Sequence, residues 1–544
     1  MRVFVAQLNP TVGAIEKNCQ KILQSIERAK QQKADLVVFP ELVLCGYPPE
    51  DLLLHPSFVE AQQRALEQIR QASSSLIVLV GLVRKSNADS EKFLFNSVAV
   101  IENGKLLGFV DKQLLPTYDV FDERRYFEPG KESQIWNFKE MRVGILICED
   151  IWQHVGDGLY THYPKDPVLQ LLPLKPDLVI NVSASPYRTQ KLEVRNRVFI
   201  KCAQTLSCPV IGACQVGGND QLVFDGHSPY VNARGELVQM AKGFEEDEVL
   251  FDLKAPTQPL SLSYDPAEDM YKALVLGVQD YFHKLGFKKG CLGLSGGIDS
   301  ALVACIAVEA LGKENVLVVL MPSRYSSEGS IADAQLLAER LEIETLLLPI
   351  EPLFKAFLDV LGPLFKEKGP TITEENVQSR IRGTLLMALS NKQGNLLLGT
   401  SNKSELGMGY CTLYGDMCGG LSPLSDVTKG QVYELCHFIN RRQELIPKAI
   451  LDKSPSAELR SNQKDSDSLP PYETIDQVIE GYVEEFLSPE EIAKNTKIPL
   501  GLVEELVRKI HLAEYKRLQS PPGIRVSRRA FKVGRRYPIA QKWM

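Results

Sequence analysis

The fold of the second half is decided by the stretch Gly290-Cys-Leu-Gly-Leu-Ser-Gly-Gly-Ile-Asp-Ser300. An apolar strand pattern runs into a glycine turn, and a helical pattern from Ile298 to Leu311 follows the turn. Because Gly296 and Gly297 have no side chains, backbone N–H groups there can approach an anion, and the helix start adds its positive dipole end. The stretch therefore predicts a strand–turn–helix unit that can bind phosphate.

Outward from this turn, the second half alternates strands with helices. The predicted elements are a helix from Met270 to Leu285 and strands at Cys291 to Leu294, Val316 to Met321, Thr345 to Pro349 and Leu396 to Leu398. This alternation predicts an α/β domain with a doubly wound parallel sheet. The polar, Pro-containing stretch 255–263 precedes it, so we predict domains at 1–254 and 264–544 joined by this linker.

The first half also reads as strands separated by amphipathic helices. Its predicted strands are Val3 to Leu8, Leu36 to Phe39, Leu76 to Val83, Val98 to Ile101, Leu106 to Val110, Val143 to Ile147, Leu178 to Val182 and Val210 to Ala213. Asn103-Gly104 joins two of them as a hairpin, since both residues tolerate the positive φ of a tight turn. We therefore expect a layered α/β domain with mixed parallel and antiparallel pairing.

The composition is that of an ordinary globular protein. The 544 residues are 44% hydrophobic and 24% charged, and the formal charge is −6, which does not favour a nucleic-acid partner. No apolar run approaches the length that spans a bilayer, and Met1 opens on strand-like sequence, so we expect a cytoplasmic protein without a membrane partner. The eleven cysteines form no CxxC pair, which favours reduced thiols in the core.

Three candidate catalytic residues in the first half each follow a predicted strand. They are Glu41, Lys112 and Cys148. A thiolate attacks an amide carbonyl readily, but a thiol needs a base, for which Glu41 is the natural choice. Lys112 offers a cation for the thiolate and for the oxyanion of a tetrahedral intermediate. Taken singly, the same residues fit a core thiol, a strand-end charge and a solvated side chain.

The glycine turn of the second half has two interpretations. Ser295 and Ser300 can donate hydroxyl groups to a phosphate, and Asp299 could hold Mg²⁺ beside the same anion. No lysine follows the glycines, so the turn is not a Walker A loop. The residues alone also fit a turn whose Ser and Asp side chains cap a helix.

Longer segments carry a resemblance to known families. The segments Phe39-Pro-Glu-Leu42, Asp111-Lys-Gln-Leu-Leu-Pro116 and Gly144-Ile-Leu-Ile-Cys-Glu-Asp-Ile-Trp152 together resemble the nitrilase superfamily, which implies an αββα sandwich that cleaves amides. The segment from Ser295 to Ser300 resembles the pyrophosphate loop of enzymes that adenylate a substrate with ATP.

A wider resemblance covers essentially the whole chain. The second half also contains Glu375-Asn-Val-Gln-Ser-Arg-Ile-Arg382, Leu398-Gly-Thr-Ser-Asn-Lys-Ser-Glu405, Tyr414-Gly-Asp416 and Pro423-Leu-Ser-Asp-Val-Thr-Lys429. Joined to a nitrilase-like half, these segments resemble the glutamine-dependent NAD synthetases. The resemblance implies that ATP adenylates deamido-NAD⁺ with loss of pyrophosphate, and that ammonia from glutamine then displaces AMP.

The same resemblance implies a role for each matching residue. Glu41 would be the glutaminase base, Lys112 the oxyanion-side cation and Cys148 the nucleophile, and Tyr118, Ser185 and Lys191 would bind glutamine. ATP would contact Gly293, Leu294, Ser295, Gly296, Gly297, Ile298, Asp299, Ser300 and Thr400. Deamido-NAD⁺ would contact Asn376, Glu405 and Lys516, and Mg²⁺ would contact Asp299 and Glu405. The resemblance also implies a homo-oligomer, at least a dimer through the synthetase domain.

Several alternatives stay open at this level. An amidotransferase with another acceptor would use the same two chemistries, and an idle N-terminal scaffold would leave a synthetase that depends on free ammonia. The polar stretch Ser454 to Pro471 fits either a surface connection or a lid. The basic stretch from Tyr515 to Met544, which contains no acidic residue, fits either a substrate-binding segment or a solvated or subunit-contacting arm.

Overall fold

The computed structural model describes residues 1–86, 92–155, 162–364 and 371–543. The chain divides into two compact units, Met1–Tyr264 and Asp265–Met544. No regular helix or strand lies between residues 256 and 265. Within the described ranges, no helix combines the length and the apolar character that crossing a bilayer requires.

The first unit is built from strands and a few helices. Its strands are β1 (Arg2–Gln7), β2 (Leu36–Val38), β3 (Ile77–Lys85), β4 (Leu94–Glu102), β5 (Lys105–Asp111), β6 (Ile135–Phe138), β7 (Met141–Ile147), β8 (Leu178–Ser183), β9 (Val210–Cys214), β10 (Val216–Asn219), β11 (Leu222–Asp225), β12 (Pro229–Val231), β13 (Leu237–Met240) and β14 (Asp247–Asp252). Its α-helices are α1 (Ile15–Gln31), α2 (Pro56–Ala72), α3 (Pro167–Leu171) and α4 (Lys191–Leu206).

Two six-stranded sheets form a sandwich. Their strand orders are β14-β1-β2-β3-β4-β5 and β13-β12-β9-β8-β7-β6, and β10 and β11 form a separate hairpin. Alternate residues of both sheets, such as Val5 and Ile145, meet in one apolar core between the sheets. The outer face of the first sheet packs on α1 and α2, and that of the second packs on α3 and α4. The unit is therefore the αββα sandwich that the resemblance implied.

The predicted strands of this unit are confirmed, with small shifts at their ends. Asn103 and Gly104 form the hairpin turn between β4 and β5, both at positive φ. The mixed pairing is also confirmed, because β1, β2 and β3 run parallel whereas β3, β4 and β5 run antiparallel. The sequence analysis missed β6 and β10 to β14. These strands are at most six residues long, and no repeated apolar pattern marks them.

The second unit is mainly helical around a small sheet. Its strands are β15 (Gly290–Gly293), β16 (Val316–Leu320), β17 (Glu344–Leu347) and β18 (Leu396–Leu397). Its α-helices are α5 (Pro266–Leu285), α6 (Ile298–Leu311), α7 (Glu328–Leu341), α8 (Glu351–Leu361), α9 (Ile372–Gln393), α10 (Lys403–Met408), α11 (Lys429–Ile439), α12 (Lys448–Asp452), α13 (Tyr472–Ile479), α14 (Pro489–Thr496), α15 (Leu500–Leu512) and α16 (Glu514–Arg517).

The sheet of this unit is parallel throughout, in the order β17-β16-β15-β18. The chain enters the sheet at the central strand β15, continues through β16 to the edge strand β17, and then returns to β18 at the opposite edge. Right-handed crossovers in these two directions put helices on both faces of the sheet. The predicted doubly wound sheet is confirmed. The predicted helix Met270 to Leu285 begins earlier, at Pro266, because Asp265 caps it by accepting from the backbone N–H groups of Ala267 and Glu268.

Candidate active sites

In the first unit, Cys148 lies on a tight turn at the end of β7. Its φ is +46°, a left-handed conformation that non-glycine residues rarely adopt. Asp150 holds the turn, because its carboxylate accepts from the backbone N–H of Ile147 at 3.1 Å and from those of Gln113 and Leu114 at 3.1 and 2.9 Å. Gln113 and Leu114 directly follow Lys112 in the chain. One buried carboxylate thus ties the nucleophile turn to the lysine segment.

Lys112 is the centre of a buried ion cluster, formed by Glu41, Lys112 and Glu123. The Lys112 Nζ lies 2.7 Å from Glu41 Oε1 and 2.7 Å from Glu123 Oε1, and all three side chains are buried. Glu41 also accepts from Asn96 Nδ2 and from the backbone N–H of Ala184, both at 2.8 Å. These partners come from the ends of different strands and orient both Glu41 oxygens. The structure therefore brings two of the three predicted catalytic residues into direct contact.

The surroundings of Cys148 keep its thiol protonated at rest. Burial raises the pKa of Cys148 well above its usual value, and the nearby carboxylates of Glu41, Glu149 and Glu123 raise it further, while Lys112 opposes them. Burial also raises the pKa of Glu123 to about 7, although Lys112 lowers it. A thiol in this setting needs a base at the moment of attack, which Glu41 can supply.

Glu123 is a site residue that the sequence analysis missed. It begins a short 3₁₀ helix, Glu123–Arg125, rather than following a strand, so the strand-end pattern that singled out the other residues does not apply to it. Tyr47 donates its hydroxyl to Glu123 Oε1 at 2.7 Å. Two carboxylates therefore flank the Lys112 ammonium, and although burial lowers its pKa, the charges of Glu123 and Glu41 raise that pKa well above the usual value.

Two of the predicted glutamine-binding residues, Tyr118 and Ser185, lie beside residues that contact the buried ion cluster or follow Cys148. The Tyr118 hydroxyl donates to Glu149 Oε1 at 2.7 Å, and Tyr163 donates to the same oxygen at 3.1 Å. Ser185 is buried just after β8, one residue beyond Ala184, whose N–H binds Glu41. Glu149, the residue after Cys148, is therefore held by two tyrosines, and burial raises the pKa of its carboxyl group although these hydrogen bonds lower it.

Lys191 begins α4 with its ammonium over an aromatic ring. Its Nζ lies 4.2 Å from the centre of the Trp152 ring, a cation–π geometry. Burial lowers the pKa of Lys191 to about 7, and the neighbouring Arg188 and Arg195 lower it further, against the opposing effect of Cys148 and Glu149. The site thus has an acidic end at Glu149 and a titratable basic end at Lys191.

In the second unit, the glycine turn connects β15 to α6. Gly296 has a φ of +78°, and a Cβ at this position would lie 2.2 Å from the carbonyl oxygen of Ser330. The Ser300 hydroxyl donates to the carbonyl of Gly297 at 3.0 Å, and the backbone N–H of Ser295 donates to Ser300 Oγ at 3.2 Å. Glycine is required at 296 for two reasons, the backbone conformation and the close approach of another chain segment.

The turn forms one wall of a cavity of about 320 Å³. All the predicted ATP-binding residues line this cavity, namely Gly293, Leu294, Ser295, Gly296, Gly297, Ile298, Asp299, Ser300 and Thr400. Arg382 also lines it, donating from Nε to the carbonyl of Met321 at 3.0 Å. Burial lowers the pKa of this guanidinium to about 10. The arrangement offers backbone donors, hydroxyl groups and a cation to a phosphate chain.

The predicted metal ligands, Asp299 and Glu405, share one lysine in this cavity, and we call them the carboxylate pair. The Lys429 Nζ lies 2.5 Å from Asp299 Oδ2 and 3.3 Å from Glu405 Oε1. Burial and the charge of Asp299 raise the pKa of Glu405 to about 8. Lys429 closes one of the family-like segments, but the sequence pattern alone predicts no role for it.

The carboxylate pair fits a divalent ion that takes its other ligands from elsewhere. The bound Lys429 ammonium shows that the two carboxylates can hold a cation between them. Across the part of the chain that the structure describes, no group of three or more His, Cys, Asp or Glu side chains could hold a metal alone. Mg²⁺ is normally bound by one or two carboxylates together with phosphate oxygens and water, so a pair beside a phosphate-binding turn suits it.

The remaining two predicted substrate residues lie around a different segment, residues 409–412. Asn376 Oδ1 accepts from the Thr412 hydroxyl at 2.7 Å. The Lys516 Nζ donates to the carbonyls of Gly409 and Cys411 at 2.8 and 2.9 Å. Neither is among the described residues that line the cavity. The structure therefore brings Asn376 and Lys516 to one segment, whose Tyr410 lines the cavity.

The polar stretch after α12 contacts the cavity. Lys453 donates to the carbonyl of Gly296 at 3.2 Å and pairs with Asp333 at 2.6 Å. Glu458 Oε1 accepts from the hydroxyls of Ser327 and Ser330 at 2.9 and 2.6 Å. Residues 453–459 are part of the cavity wall. The stretch is thus more than a surface connection in this structure.

Comparison with known proteins assigns each half of the chain to a family. Residues 2–254 match the carbon-nitrogen hydrolase family, and residues 270–520 match the NAD synthase family. The glutamine-dependent NAD(+) synthetase of Synechocystis sp. is 47% identical, with 99% of this chain and 98% of the relative covered. That of Thermotoga maritima is 42% identical, with 100% and 99% covered.

Solved structures give the same result over the whole chain. The structure of glutamine-dependent NAD+ synthetase from Acinetobacter baumannii in complex with ADP superimposes with a TM-score of 0.78 at 38% identity, covering 100% of this chain and 99% of that one. A structure of the synthetase from Cytophaga hutchinsonii, at 22% identity and a TM-score of 0.84, shares the fold. These full-length matches show that the chain belongs to the family of glutamine-dependent NAD(+) synthetases, which are enzymes of the ligase class.

Proposed function

We propose that this chain amidates deamido-NAD⁺ to NAD⁺, with glutamine as the ammonia donor and ATP as the activating substrate. The observation that carries the proposal is the pairing of two sites in one chain. One unit holds Cys148 beside the buried ion cluster, and the other holds a glycine turn beside the carboxylate pair. The products are NAD⁺, AMP, pyrophosphate and glutamate.

The first site hydrolyses glutamine through a covalent intermediate. Cys148 Sγ attacks the side-chain amide carbon while Glu41 takes the thiol proton, and Lys112 stabilises the negative charge that forms in the tetrahedral intermediate. Glu41 then gives the proton to the departing nitrogen, so ammonia leaves and a thioester remains. Water, deprotonated by Glu41, cleaves the thioester to glutamate and restores the thiol.

Charge complementarity supports the assignment of glutamine as the substrate of this site. Free glutamine carries an α-carboxylate, which the Lys191 ammonium can bind, and polar groups that the Ser185 hydroxyl can reach. Tyr118 holds Glu149 beside the nucleophile. We therefore assign Tyr118, Ser185 and Lys191 to glutamine recognition.

The second site activates and then amidates a carboxylic acid. The carboxylate of deamido-NAD⁺ attacks the α-phosphorus of ATP and releases pyrophosphate, and ammonia displaces AMP from the acyl adenylate. The turn from Gly293 to Ser300, with Thr400, binds the nucleotide. We assign Asn376, Glu405 and Lys516 to binding of deamido-NAD⁺. Asn376 and Lys516 both contact residues 409–412, which is consistent with a shared substrate.

Asp299 and Glu405 are the residues that would hold Mg²⁺. When bound, the ion neutralises phosphate charge and favours departure of pyrophosphate. The shared Lys429 ammonium supplies a second positive charge beside the same carboxylates. We infer Mg²⁺ rather than a softer metal because all the protein ligands offered are carboxylate oxygens.

We also propose that the chain acts in the cytoplasm as a homo-oligomer, at least a dimer through its synthetase unit. The eleven free cysteines suit a reducing compartment. On α8, Leu353 and Phe357 lie one turn apart and are 42% and 48% exposed, which suits an apolar contact with a second copy. Light scattering on wild type and Phe357→Glu tests this, because a wild-type mass of one chain would contradict the proposal.

The function is tested by omitting each substrate in turn. Purified protein receives glutamine, ATP, Mg²⁺ and deamido-NAD⁺, and the nucleotides are separated by ion-exchange chromatography. We expect NAD⁺, AMP and pyrophosphate only when all components are present, with ammonium able to replace glutamine. ADP and phosphate as the dominant products would contradict the adenylation step, and failure of glutamine to replace ammonium would favour an idle N-terminal scaffold.

A further inference from the structure

A fully buried lysine connects the candidate ATP site to the C-terminal part of the chain. Lys403 is 0% exposed, and its Nζ lies 2.9 Å from Asp426 Oδ1 and 2.5 Å from Glu484 Oε1. It also donates to Ser527 Oγ at 2.7 Å and to the carbonyl of Arg529 at 3.0 Å. We call Lys403, Asp426, Glu484 and Ser527 the Lys403 cluster. Its acceptors satisfy every N–H of the ammonium.

The same carboxylates hold the C-terminal segment by its backbone. Asp426 Oδ2 accepts from the N–H groups of Val526 and Ser527, both at 2.8 Å, and Asp426 Oδ1 accepts from the Ser527 hydroxyl at 2.8 Å. Glu484 Oε2 accepts from the N–H of Arg528 at 3.2 Å. Val526 and Ser527 are therefore fixed in the interior, although they belong to the basic stretch that the sequence allowed to be a solvated arm, whereas the Arg528 side chain is exposed.

Lys403 lies between Asn402, which contacts a residue of the cavity wall, and Glu405, which lines the cavity. Asn402 donates from Nδ2 to Asp299 Oδ1 at 2.9 Å, and its own Oδ1 accepts from the N–H of Glu405 at 2.9 Å. The backbone N–H of Lys403 donates to the carbonyl of Val427 at 2.8 Å. The position of the Lys403 backbone thus sets both members of the carboxylate pair, one through Asn402 and the other directly through α10.

A buried ion cluster is a poor general stabiliser, because desolvation of the charges offsets most of their attraction. Such a cluster instead fixes geometry, since the three N–H groups of an ammonium satisfy a particular set of acceptors. An apolar side chain would fill the same space without fixing the direction of its neighbours. The cost of burying Lys403 is therefore best explained by the position it enforces on α10.

We propose that Lys403 is a positioning residue for the carboxylate pair, and that residues 526–529 are part of the ATP site through it. The inference rests on the proposed role of Asp299 and Glu405 as ligands of a divalent ion. Removing the Lys403 charge would leave Asp426 and Glu484 without their counter-ion, so α10 and Glu405 would move. We expect the divalent ion to bind more weakly, while glutamine hydrolysis in the first unit continues.

The test measures Mn²⁺ binding to the full-length protein with a non-hydrolysable ATP analogue, by the loss of the free Mn²⁺ signal in electron paramagnetic resonance. Lys403→Met keeps the chain length and removes the charge, and we expect it to weaken Mn²⁺ binding by about 10- to 100-fold, as changes behind metal ligands do. Ser527→Ala removes the two hydrogen bonds that the hydroxyl makes with Lys403 and Asp426, and it should weaken binding by roughly 2- to 5-fold. Asp299→Asn reports whether the signal comes from the carboxylate pair.

The control is Val507→Ala, which truncates a fully buried side chain in the helical core of the same unit. It should lower the Tm but leave Mn²⁺ affinity unchanged. If Asp299→Asn binds Mn²⁺ as wild type does, the proposed metal site fails. If Asp299→Asn weakens binding but folded Lys403→Met and Ser527→Ala do not, the positioning role is wrong. Equal weakening of Mn²⁺ binding by Val507→Ala also overturns the positioning role. If Lys403→Met does not fold, Ser527→Ala and Glu484→Gln replace it in the test. Wild-type Mn²⁺ affinity in both of these variants would then overturn the role.

Discussion

The two units hold their charged groups in different ways. In the first unit, Lys112 lies between two buried carboxylates, and the second oxygen of Glu41 accepts from the backbone N–H of Ala184, so these groups are assembled before substrate arrives. In the second unit, Lys429 lies between Asp299 and Glu405 on the wall of a cavity. In this second site the backbone of the glycine turn is the preorganised element, and the phosphates of the substrate supply the remaining negative charge.

This difference follows from the chemistry that each unit performs. Covalent attack on an amide needs a nucleophile and a base held in one geometry, and preorganised side chains provide that. Phosphate binding needs many donors and a neutralising cation, which a glycine turn and two carboxylates provide together with the ligand. Variants in the first unit should therefore lower NAD⁺ synthesis from glutamine only, whereas variants in the second unit should lower synthesis from both glutamine and ammonium.

The largest effect is expected for Cys148→Ala. Without the thiol no acyl-enzyme forms, so NAD⁺ synthesis from glutamine should fall by about three orders of magnitude or more, to background. Synthesis from ammonium chloride should continue near the wild-type rate, especially at alkaline pH, where more NH₃ is present. Both rates are measured by NAD⁺ formation, and thermal unfolding is recorded because the side chain is buried. Glutamine-driven synthesis in a folded variant would show that Cys148 is not the nucleophile.

Asp299→Asn should remove synthesis from both nitrogen sources. The change keeps the shape of the side chain but removes the charge that pairs with Lys429 and would bind the metal. We expect a loss of about 100-fold or more in NAD⁺ formation, typical of a lost transition-state electrostatic contact. Glutamine hydrolysis, measured as glutamate release, is the control for the intact first unit. A near-wild-type rate at saturating Mg²⁺ would leave Asp299 with only a structural role, as the partner of Lys429 and Asn402.

The sequence predicted the parts of both sites that depend on short local patterns. Strand ends located Glu41, Lys112 and Cys148, and the glycine turn located 293–300. The sequence did not predict which distant side chains the fold brings into contact. Glu123 follows no strand, and Lys429 and Lys403 look like ordinary lysines until their carboxylate partners, up to about 130 positions away in sequence, are in place.

The edges of the sheets were the least predictable part of the fold. Strand β14 pairs with β1 from the far end of the unit, and β12 and β13 complete the second sheet with three and four residues. Such short strands are stabilised by a partner that already exists rather than by their own pattern. The fully buried strand β8, in contrast, was predicted within one residue.

Gly296→Ala tests the dependence of the second site on backbone geometry. The new Cβ would lie 2.2 Å from the Ser330 carbonyl, at a φ of +78° that itself costs alanine about 1 to 2 kcal/mol. We expect the KM for ATP to rise by roughly tenfold or more with either nitrogen source. The matched control is Gly329→Ala, at a position where an added Cβ meets nothing within 4 Å. An unchanged KM in Gly296→Ala would show that the turn does not bind the nucleotide.

The smallest effect is a pH dependence confined to the first site. Because the pKa of Lys191 is lowered to about 7, its ammonium form predominates below that pH and is lost above it. If the ammonium binds the α-carboxylate, kcat/KM for glutamine should fall as pH rises through about 7, by at most tenfold per unit. Lys191→Arg keeps the charge at all these pH values, since a guanidinium does not titrate there, and should move the fall to higher pH.

Ammonium-driven synthesis by the same proteins is the internal control for this pH effect. It bypasses the glutamine site, so any decline that it shares with glutamine-driven synthesis belongs to the second unit or to substrate ionisation. The part of the decline with pH that disappears in Lys191→Arg is caused by titration of Lys191. An alkaline limb that is identical in wild type and Lys191→Arg would assign the titration to another group, such as Cys148 with its carboxylate neighbours, and would leave Lys191 without a role in binding the carboxylate.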